Sequence, residues 1–422
     1  MNCDLMRIVA GFEKNYLLTK RGVTSASYSQ TGFSVLEQSG KKSEFFSSND
    51  FALMPSKYSP SFSLFNKLRN VAEAEEHLRL DQISSNIYYE LEDCLGRLGK
   101  VKNLEVTILE KKETELIWNK DLEKHKTIKS AYYRFSLRAT IECYAGVLSF
   151  NEEGVLDPFN PKKNIFSRVQ ELEKKYINFV KTPFREIDDT CLDLILPKGL
   201  GGILIHEAIG HPLEADYFLS SSSFIREQIG KKIASTEVTV VDSPLSEKNQ
   251  LISDDGSTEK TIVLINSGVL SGVMADRFTS SYSGLKNTGN GRSCSFSERV
   301  IPRMRYTYLQ RGAYPSKLLT FGMKNGIVAS ELGGGQVDSL SGDFSFVLNN
   351  SYFVQNGIPI ALCSPLRFSG NTLEVLGKIK KVGNDFEKRY AICSKKGQSL
   401  PVAFGSPTFL LEKVKVSALW EI

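Results

Sequence analysis

Histidine is scarce in this chain, with four among 422 residues, and tryptophan is scarcer still, with two. So few imidazoles leave no Ser-His-Asp arrangement worth assembling for nucleophilic catalysis. Long apolar runs are missing too. None approaches the ~20 residues that cross a bilayer as a helix, so no membrane partner is expected. Charge of one sign is not concentrated anywhere. The net charge of +5 is spread thinly and the only basic runs are short lysine pairs, so nucleic acid is not an expected partner either. The first twenty residues carry Asp4 and Glu13 and no extended apolar stretch, which argues against a secretory signal. Seven cysteines, at positions 3, 94, 143, 191, 294, 363 and 393, are scattered and odd in number. They make no disulfide framework and fit a reducing compartment. The expectation is a soluble cytoplasmic protein.

What is present is ordinary globular material, 41% hydrophobic and 24% charged. At roughly 150 residues per domain, two or three compact units are expected. Residues 1 to about 60 read as short strands and loops. Phe62, Phe65, Leu68 and Val71 recur at helical spacing, as do Ile83, Ile87, Leu91, Leu95 and Leu98, ahead of a stop at Gly99. Leu104, Val106 and Ile108 alternate with polar residues, as do Tyr133, Phe135, Leu137, Ala139 and Ile141, which predicts half-buried antiparallel strands. A further helix is predicted from Ile165 to Val180. The divide falls at about 189/190, giving an N-terminal α+β domain (1–189) and a C-terminal β-rich domain (190–422). In the latter, short β-rich runs at 238–242, 261–265, 326–329, 344–347 and 352–354 alternate with turns. They predict an antiparallel sheet, sandwich or barrel interrupted by one helix near 372–380.

The most informative window is His206-Glu207-Ala208-Ile209-Gly210-His211, which holds two of the four histidines on either side of a glutamate. Imidazoles are common zinc ligands, and a neighbouring carboxylate can take a proton from water at a zinc site. The spacing exceeds that of H-E-x-x-H by one residue. On a regular helix, position i+5 lies about 140° round from i, so both rings can meet one metal only if the helix widens or ends between them. Gly210 is a poor helix former, and Pro212 biases His211 away from helical backbone angles, so a break is expected there. A catalytic zinc needs a third protein ligand, which spacing does not choose. Glu214 and Asp216 are candidates as ligands or as acceptors for imidazole N–H groups, and Cys393 is another candidate ligand. Thr288-Gly-Asn-Gly-Arg292 and Gly333-Gly-Gly-Gln336 do not fit a phosphate loop. They read as tight turns, or as places where a peptide backbone lies against a sheet.

Taken with Ile252-Ser-Asp-Asp-Gly256, Thr288-Gly-Asn-Gly-Arg292, Pro302-Arg-Met304, Gly333-Gly-Gly-Gln-Val-Asp338, Val382-Gly-Asn-Asp385 and Gly397-Gln-Ser-Leu-Pro-Val402, the histidine window resembles the TldD/PmbA family of cytoplasmic peptidases, in particular its TldD-type subunit. The resemblance covers roughly residues 190 to 412. It implies an α+β fold in which an N-terminal α+β domain precedes a C-terminal antiparallel β-barrel-like domain, with the motif helix at the junction. It also implies a zinc ion held by His206, His211 and Cys393, with Glu207 as general base. The implied substrates are unstructured peptides, including precursors of ribosomally made peptide products. The implied partner is a PmbA-type (TldE) paralogue in a heterodimer, with a homodimer as the other possibility. The family's glycine-rich arginine segment is absent, and Ala145-Gly-Val-Leu-Ser-Phe-Asn-Glu-Glu-Gly154 stands in its place. A reading from another class is a non-catalytic peptide-binding or assembly subunit whose zinc is structural. Such a site is normally closed by a fourth protein ligand and needs no carboxylate at Glu207.

Overall fold

The structure, a computed structural model, describes residues 3–19, 22–39, 42–49, 85–119, 124–143, 146–155, 165, 166, 169, 170, 173, 182–188, 190–245 and 252–419. The chain divides into two compact units, Met1–Lys181 with Cys294–Arg299, and Thr182–Ser293 with Val300–Ile422.

In the first unit, six strands form one sheet in the order β3-β2-β1-β4-β5-β6. They are β1 (Cys3–Thr19), β2 (Gly22–Ser39), β3 (Lys42–Ser48), β4 (Lys100–Asn119), β5 (Lys124–Cys143) and β6 (Gly146–Val155), and every neighbouring pair is antiparallel. The alternation in β4 and β5 is realised as predicted. Leu104, Val106 and Ile108 share one buried cluster with Phe135, Leu137, Ala139 and Ile141. Helix α1 (Ser85–Gly96) adds Tyr88, Leu91 and Leu95 to that cluster. Of the helix predicted over 165–180, Ile165 and Val169 are helical and buried in the same cluster. The helix predicted around 62–72 lies outside the described residues. The short strands and loops expected near the start are instead two strands of 17 and 18 residues. Strand β1 pairs along its length with β2 on one side and β4 on the other. Pairing on both edges satisfies the backbone of β1 and carries with it β2, a Ser- and Thr-rich segment whose local pattern is weak.

The second unit holds two large open sheets. One has the order β11-β10-β9-β14-β23-β22 and is built from β9 (Val240–Ser243), β10 (Ile262–Asn266), β11 (Val269–Leu270), β14 (Tyr306–Leu309), β22 (Glu387–Lys395) and β23 (Gln398–Ser406). The other runs β16-β17-β20-β24-β8-β15-β18-β19-β7, with β21 paired to β24. Its strands are β7 (Phe184–Arg185), β8 (Thr190–Leu196), β15 (Asn325–Val328), β16 (Glu331–Val337), β17 (Asp343–Asn349), β18 (Tyr352–Gln355), β19 (Ile358–Cys363), β20 (Leu366–Asn371), β21 (Ile379–Val382) and β24 (Phe409–Ala418). A two-stranded pair, β12 (Gly291–Arg292) with β13 (Ile301–Pro302), completes the set among the described residues. The fold is therefore mixed α+β, but not strictly antiparallel as the turn-rich sequence led one to expect. β14 with β23, β15 with β8, and β19 with β7 are parallel pairs. Parallel neighbours need long connections, and those pairs are joined by chain segments that carry other elements between them.

Helix α5 (Thr372–Lys378) lies where predicted, capped by the Asn371 side chain. Three short α-helices stand ahead of it among the described residues of the second unit. The two that flank the histidine window, α2 (Gly201–Leu204) and α3 (Ala215–Phe218), belong to the site described below. The third, α4 (Arg277–Ser283), the composition did not predict. Its signal was Asp276 followed three residues later by Thr279. The two side chains cap each other's backbone reciprocally, with Thr279 N–H donating to Asp276 Oδ1 at 2.7 Å. The three glycines after Leu332 are also no tight turn, because they lie within β16. A Cβ on Gly335 would fall inside the Phe346 ring, so the glycine permits close packing across the strand pair.

Burial pushes the Asp276 carboxyl up to about 6 from an ordinary 3.8, only partly offset by Thr279. The folded state therefore holds a proton that the unfolded chain releases, and stability falls as pH rises from about 4 through about 6. Asp276→Asn keeps a capping oxygen and removes the charge. Its advantage over wild type in urea unfolding should grow from near zero below pH 4 to as much as about 3 kcal/mol above pH 6. A difference that stays flat with pH would contradict this account.

Candidate metal centre

Strand β8 delivers the chain into a turn, and α2 then lies directly on the sheets. A Cβ on Gly201 would strike the Phe409 ring, and one on Gly202 would crowd Phe404 and the Gly405 backbone. This close seating explains the paired glycines ahead of the histidine window. From Ile205 to Gly210 the helix widens into a π-turn, and the His211 N–H donates to the His206 carbonyl, five residues back. His211–Leu213 then tightens into a 3-10 turn, and Glu214 leaves it in extended conformation. The predicted break is therefore a widening. His211 keeps helical angles (φ −58, ψ −46) despite Pro212. In an α-helix the proline ring would press on the carbonyl of Ala208, and the wider turn gives it room. Gly210 is required for a different reason from poor helix propensity, since a Cβ there would fall on the Met304 sulfur.

The widened turn brings the His206 and His211 rings to 5.1 Å between centroids, nearly perpendicular at 80°. Cys393 comes from strand β22, near the hairpin that joins it to β23. The hairpin turns through Lys396 and Gly397, both at positive φ (50 and 80), as a two-residue turn demands. Cys393 Sγ lies 3.3 Å from His211 Nε2, 182 residues away in sequence. One ligand atom from each of His206, His211 and Cys393 lies within 4.8 Å of the others, and all three residues are buried. Glu207 is half-exposed beside them, its Oε2 3.8 Å from His211 Nε2.

Glu214 and Asp216 stand outside this trio of donors. Glu214 is fully buried, and its Oε2 accepts from His211 Nδ1 at 2.8 Å. The same oxygen accepts from Lys395 Nζ at 2.8 Å, and Oε1 accepts from the Met304 N–H at 2.9 Å. Asp216 binds Lys395 at 2.6 Å and Lys396 at 2.7 Å. Arg303 is also fully buried, and its guanidinium donates to the carbonyls of Cys393 (2.7 Å) and Gln398 (3.1 Å). Sequence reasoning missed Arg303 and Lys395 as parts of the site. Their nearest signal was that Arg303 lies inside one motif that carried the family resemblance, Pro302-Arg-Met304, and Lys395 lies two residues ahead of another, Gly397-Gln-Ser-Leu-Pro-Val402.

The electrostatics follow from this arrangement. Burial pushes the Cys393 thiol up, but hydrogen bonding to His206 and His211 outweighs it and holds the thiol at about 5, so it is a thiolate at neutral pH. Burial works against the His211 imidazolium, while Glu214 and Cys393 hold it well above the ordinary histidine range. Burial likewise works against the Glu214 carboxylate, yet Lys395, His211 and Arg303 hold it well below the usual carboxylate range. Removing one member of such a buried ion cluster costs about 3–5 kcal/mol, because the others are left uncompensated.

A metal ion fits these residues. Two imidazoles and a thiolate are a borderline-soft donor set of the kind that binds zinc. Among the described residues, the Nδ1 of His206 is buried with no hydrogen-bond partner, a polar atom that a cation would satisfy. His211 has the complementary arrangement of a metal-ligating histidine, with one nitrogen on a carboxylate and the other facing the donor cluster.

A family model described as the PmbA/TldA metallopeptidase C-terminal domain matches residues 190–418. The chain belongs to the PmbA/TldD family. It is 37% identical over 229 residues to a protein of Buchnera aphidicola named Metalloprotease TldD homolog, and 32% identical over 252 residues to the Zinc metalloprotease TldD homolog of Saccharolobus solfataricus. These stretches take in 53% and 58% of this chain, and it spans about half the length of the two relatives, 47% and 55%. TldE from Thermococcus kodakarensis has a similar fold, with a TM-score of 0.72 over 98% of this chain and 96% of that one at 14% identity.

Gly210→Ala tests the packing that keeps the widened turn in place. The added methyl must displace Met304, and overpacking of this kind costs about 1–3 kcal/mol. A lower melting temperature and weaker zinc retention are expected together. Wild-type values for both would show that the glycine has no steric role here.

Proposed function

We propose that this chain is a zinc-dependent peptidase of the cytoplasm, acting on unstructured peptides in peptide turnover or in the maturation of a ribosomally made peptide. The observation that carries this reading is the convergence of His206, His211 and Cys393 beside the Glu207 carboxylate. His206, His211 and Cys393 would hold the zinc. Bound there, zinc supplies Lewis-acid polarisation of a carbonyl and acidification of water. Glu207 is the general base: its Oε2 takes the proton of the attacking water and returns it to the departing amine. Half-exposed on the helix, Glu207 is open to water, whereas a structural site has no use for a carboxylate so placed. His211 is held by Glu214, and Cys393 by the Arg303 contact to its carbonyl, so neither side chain needs to reorganise when substrate arrives.

The sheet that carries Cys393 supports an unstructured substrate. Among the described residues, β22 is an edge strand, so an extended peptide adding to that edge would run alongside the site. Main-chain pairing of this kind reads backbone first, so sequence selectivity is loose and a stably folded protein is a poor substrate.

Glu207→Gln should keep zinc at one equivalent by elemental analysis and lose cleavage of an unstructured peptide by about 10²–10⁴-fold. Cys393→Ser should lose the zinc as well, since thiolate is the tighter donor. Full activity in Glu207→Gln would sink the mechanism, and full zinc in Cys393→Ser would remove that residue from the ligand set.

The fold likeness to TldE supports a paralogous PmbA/TldE-type subunit as partner, in a heterodimer, with a homodimer as the other arrangement. Enclosure by a partner would restrict the site to extended chains and make a loosely selective peptidase safe in the cytoplasm. Co-expression with such a paralogue should yield a complex by light scattering whose peptidase activity exceeds that of the chain alone. Equal activity from a purified monomer would count against the partnership and leave the zinc chemistry standing.

A further inference from the structure

Lys395 is a lysine with almost no exposed surface, and burying an ammonium is costly unless it is paired. It lies two residues from Cys393 on β22, so the two side chains share a face of the strand. Its ammonium donates to Glu214 Oε2 at 2.8 Å, to Asp216 Oδ1 at 2.6 Å and to the Pro302 carbonyl at 3.1 Å, and it lies 4.4 Å from the centre of the Tyr217 ring. Glu214 Oε2, which receives it, is the oxygen that His211 Nδ1 also contacts. One strand therefore supplies a thiolate to one end of the His211 ring and, through Glu214, a counter-charge at the other.

We propose that Lys395 and Glu214 form a positioning pair for His211: Glu214 fixes the proton on Nδ1 so that Nε2 faces the metal, and Lys395 holds Glu214 in that orientation. Neither residue is a metal ligand, and neither touches the reacting atoms. The proposal rests on the reading of His206, His211 and Cys393 as the ligands. It goes beyond that reading in assigning a role to the hairpin's lysine, which ties the placement of Cys393 to the orientation of a histidine from a distant part of the chain. Three of the four N–H or ammonium groups converging on Glu214 come from outside its own turn: the Met304 amide, the Lys395 ammonium and, at 3.9 Å, the Arg303 guanidinium. The carboxylate therefore cannot swing away from His211 without stranding the buried Met304 amide and taking a counter-charge from Lys395.

The test uses the full chain with zinc alone as probe, its affinity measured by competition with a chromogenic chelator. Glu214→Gln and Lys395→Met should each weaken zinc binding by about 10–100-fold, the range for partners that orient a ligating histidine. The double variant Glu214→Gln/Lys395→Met is charge-balanced, so it should recover the melting temperature that Lys395→Met loses while its zinc affinity stays low. A merely structural role predicts that affinity and melting temperature recover together, and that result would overturn the proposal. With four histidines in the chain, ¹⁵N-histidine labelling gives a direct readout. Zinc-loaded wild type should show a protected Nδ1–H on His211 that is lost in Glu214→Leu, which removes the accepting oxygen altogether. A protected signal unchanged in that variant would also overturn the proposal. Wild type that binds no zinc would defeat the ligand reading and this inference with it. Tight wild-type binding matched by both single variants would defeat the positioning pair alone.

Discussion

Two imidazoles five residues apart do not share a face of an α-helix, and the site depends on how the backbone resolves that mismatch. It does so by widening: the stretch from Ile205 to Gly210 closes over five residues rather than four, and at its end the His211 N–H donates to the His206 carbonyl. A π-turn is poorly populated on its own. Here its neighbours remove the alternatives: Pro212 offers no N–H to the ordinary ladder, Gly210 has no Cβ to hold it away from Met304, and the preceding glycines seat the helix against Phe404 and Phe409. The unusual turn is the conformation that these contacts leave open.

The third donor comes from far along the chain, so its position depends on sheet geometry. Strand β23 is parallel to β14 and antiparallel to β22, and Cys393 faces Leu400 across the hairpin. Arg303, in the segment that leads into β14, reaches over to the Cys393 and Gln398 carbonyls on both arms of that hairpin. The residue that fixes the thiolate's backbone therefore belongs to the same segment as Met304, whose amide fixes Glu214 and, through it, His211. Two neighbouring residues, one by side chain and one by amide, place two candidate donors that lie 182 residues apart in the chain.

Some of this was legible in the sequence and some was not, for physical reasons. The six-residue histidine window declared itself because four histidines in the chain make a paired occurrence informative, and its geometry demanded a widened or broken helix. Alternation exposed β4 and β5, since each buries one face against a helix and leaves the other outward. It failed for β1 and β2, where pairing on both edges rather than side-chain pattern sustains the strands. Parallel pairs such as β8 with β15 leave no local mark, because register between distant segments is not a property of either segment. Glu214 was visible as a candidate, but its choice between ligand and acceptor depended on Lys395 and Arg303. Nothing in a sequence marks a charged residue as buried.

That burial has a cost which bears on what the cluster is for. Glu214, Arg303 and Lys395 are almost wholly withdrawn from solvent, and apolar residues of similar volume would often give a fold at least as stable. Stability is therefore a poor reason for their presence. Direction is a better one, since each charge ends in a hydrogen bond to a candidate donor, to its backbone or to the group that holds it: Glu214 to the His211 ring, Arg303 to the Cys393 carbonyl, Lys395 to Glu214. Apolar packing holds volumes in place but does not choose which nitrogen of an imidazole carries the proton. A donor set drawn from a π-turn and a hairpin 182 residues apart needs that choice made, and a hydrogen-bonded charge buried from water makes it most firmly.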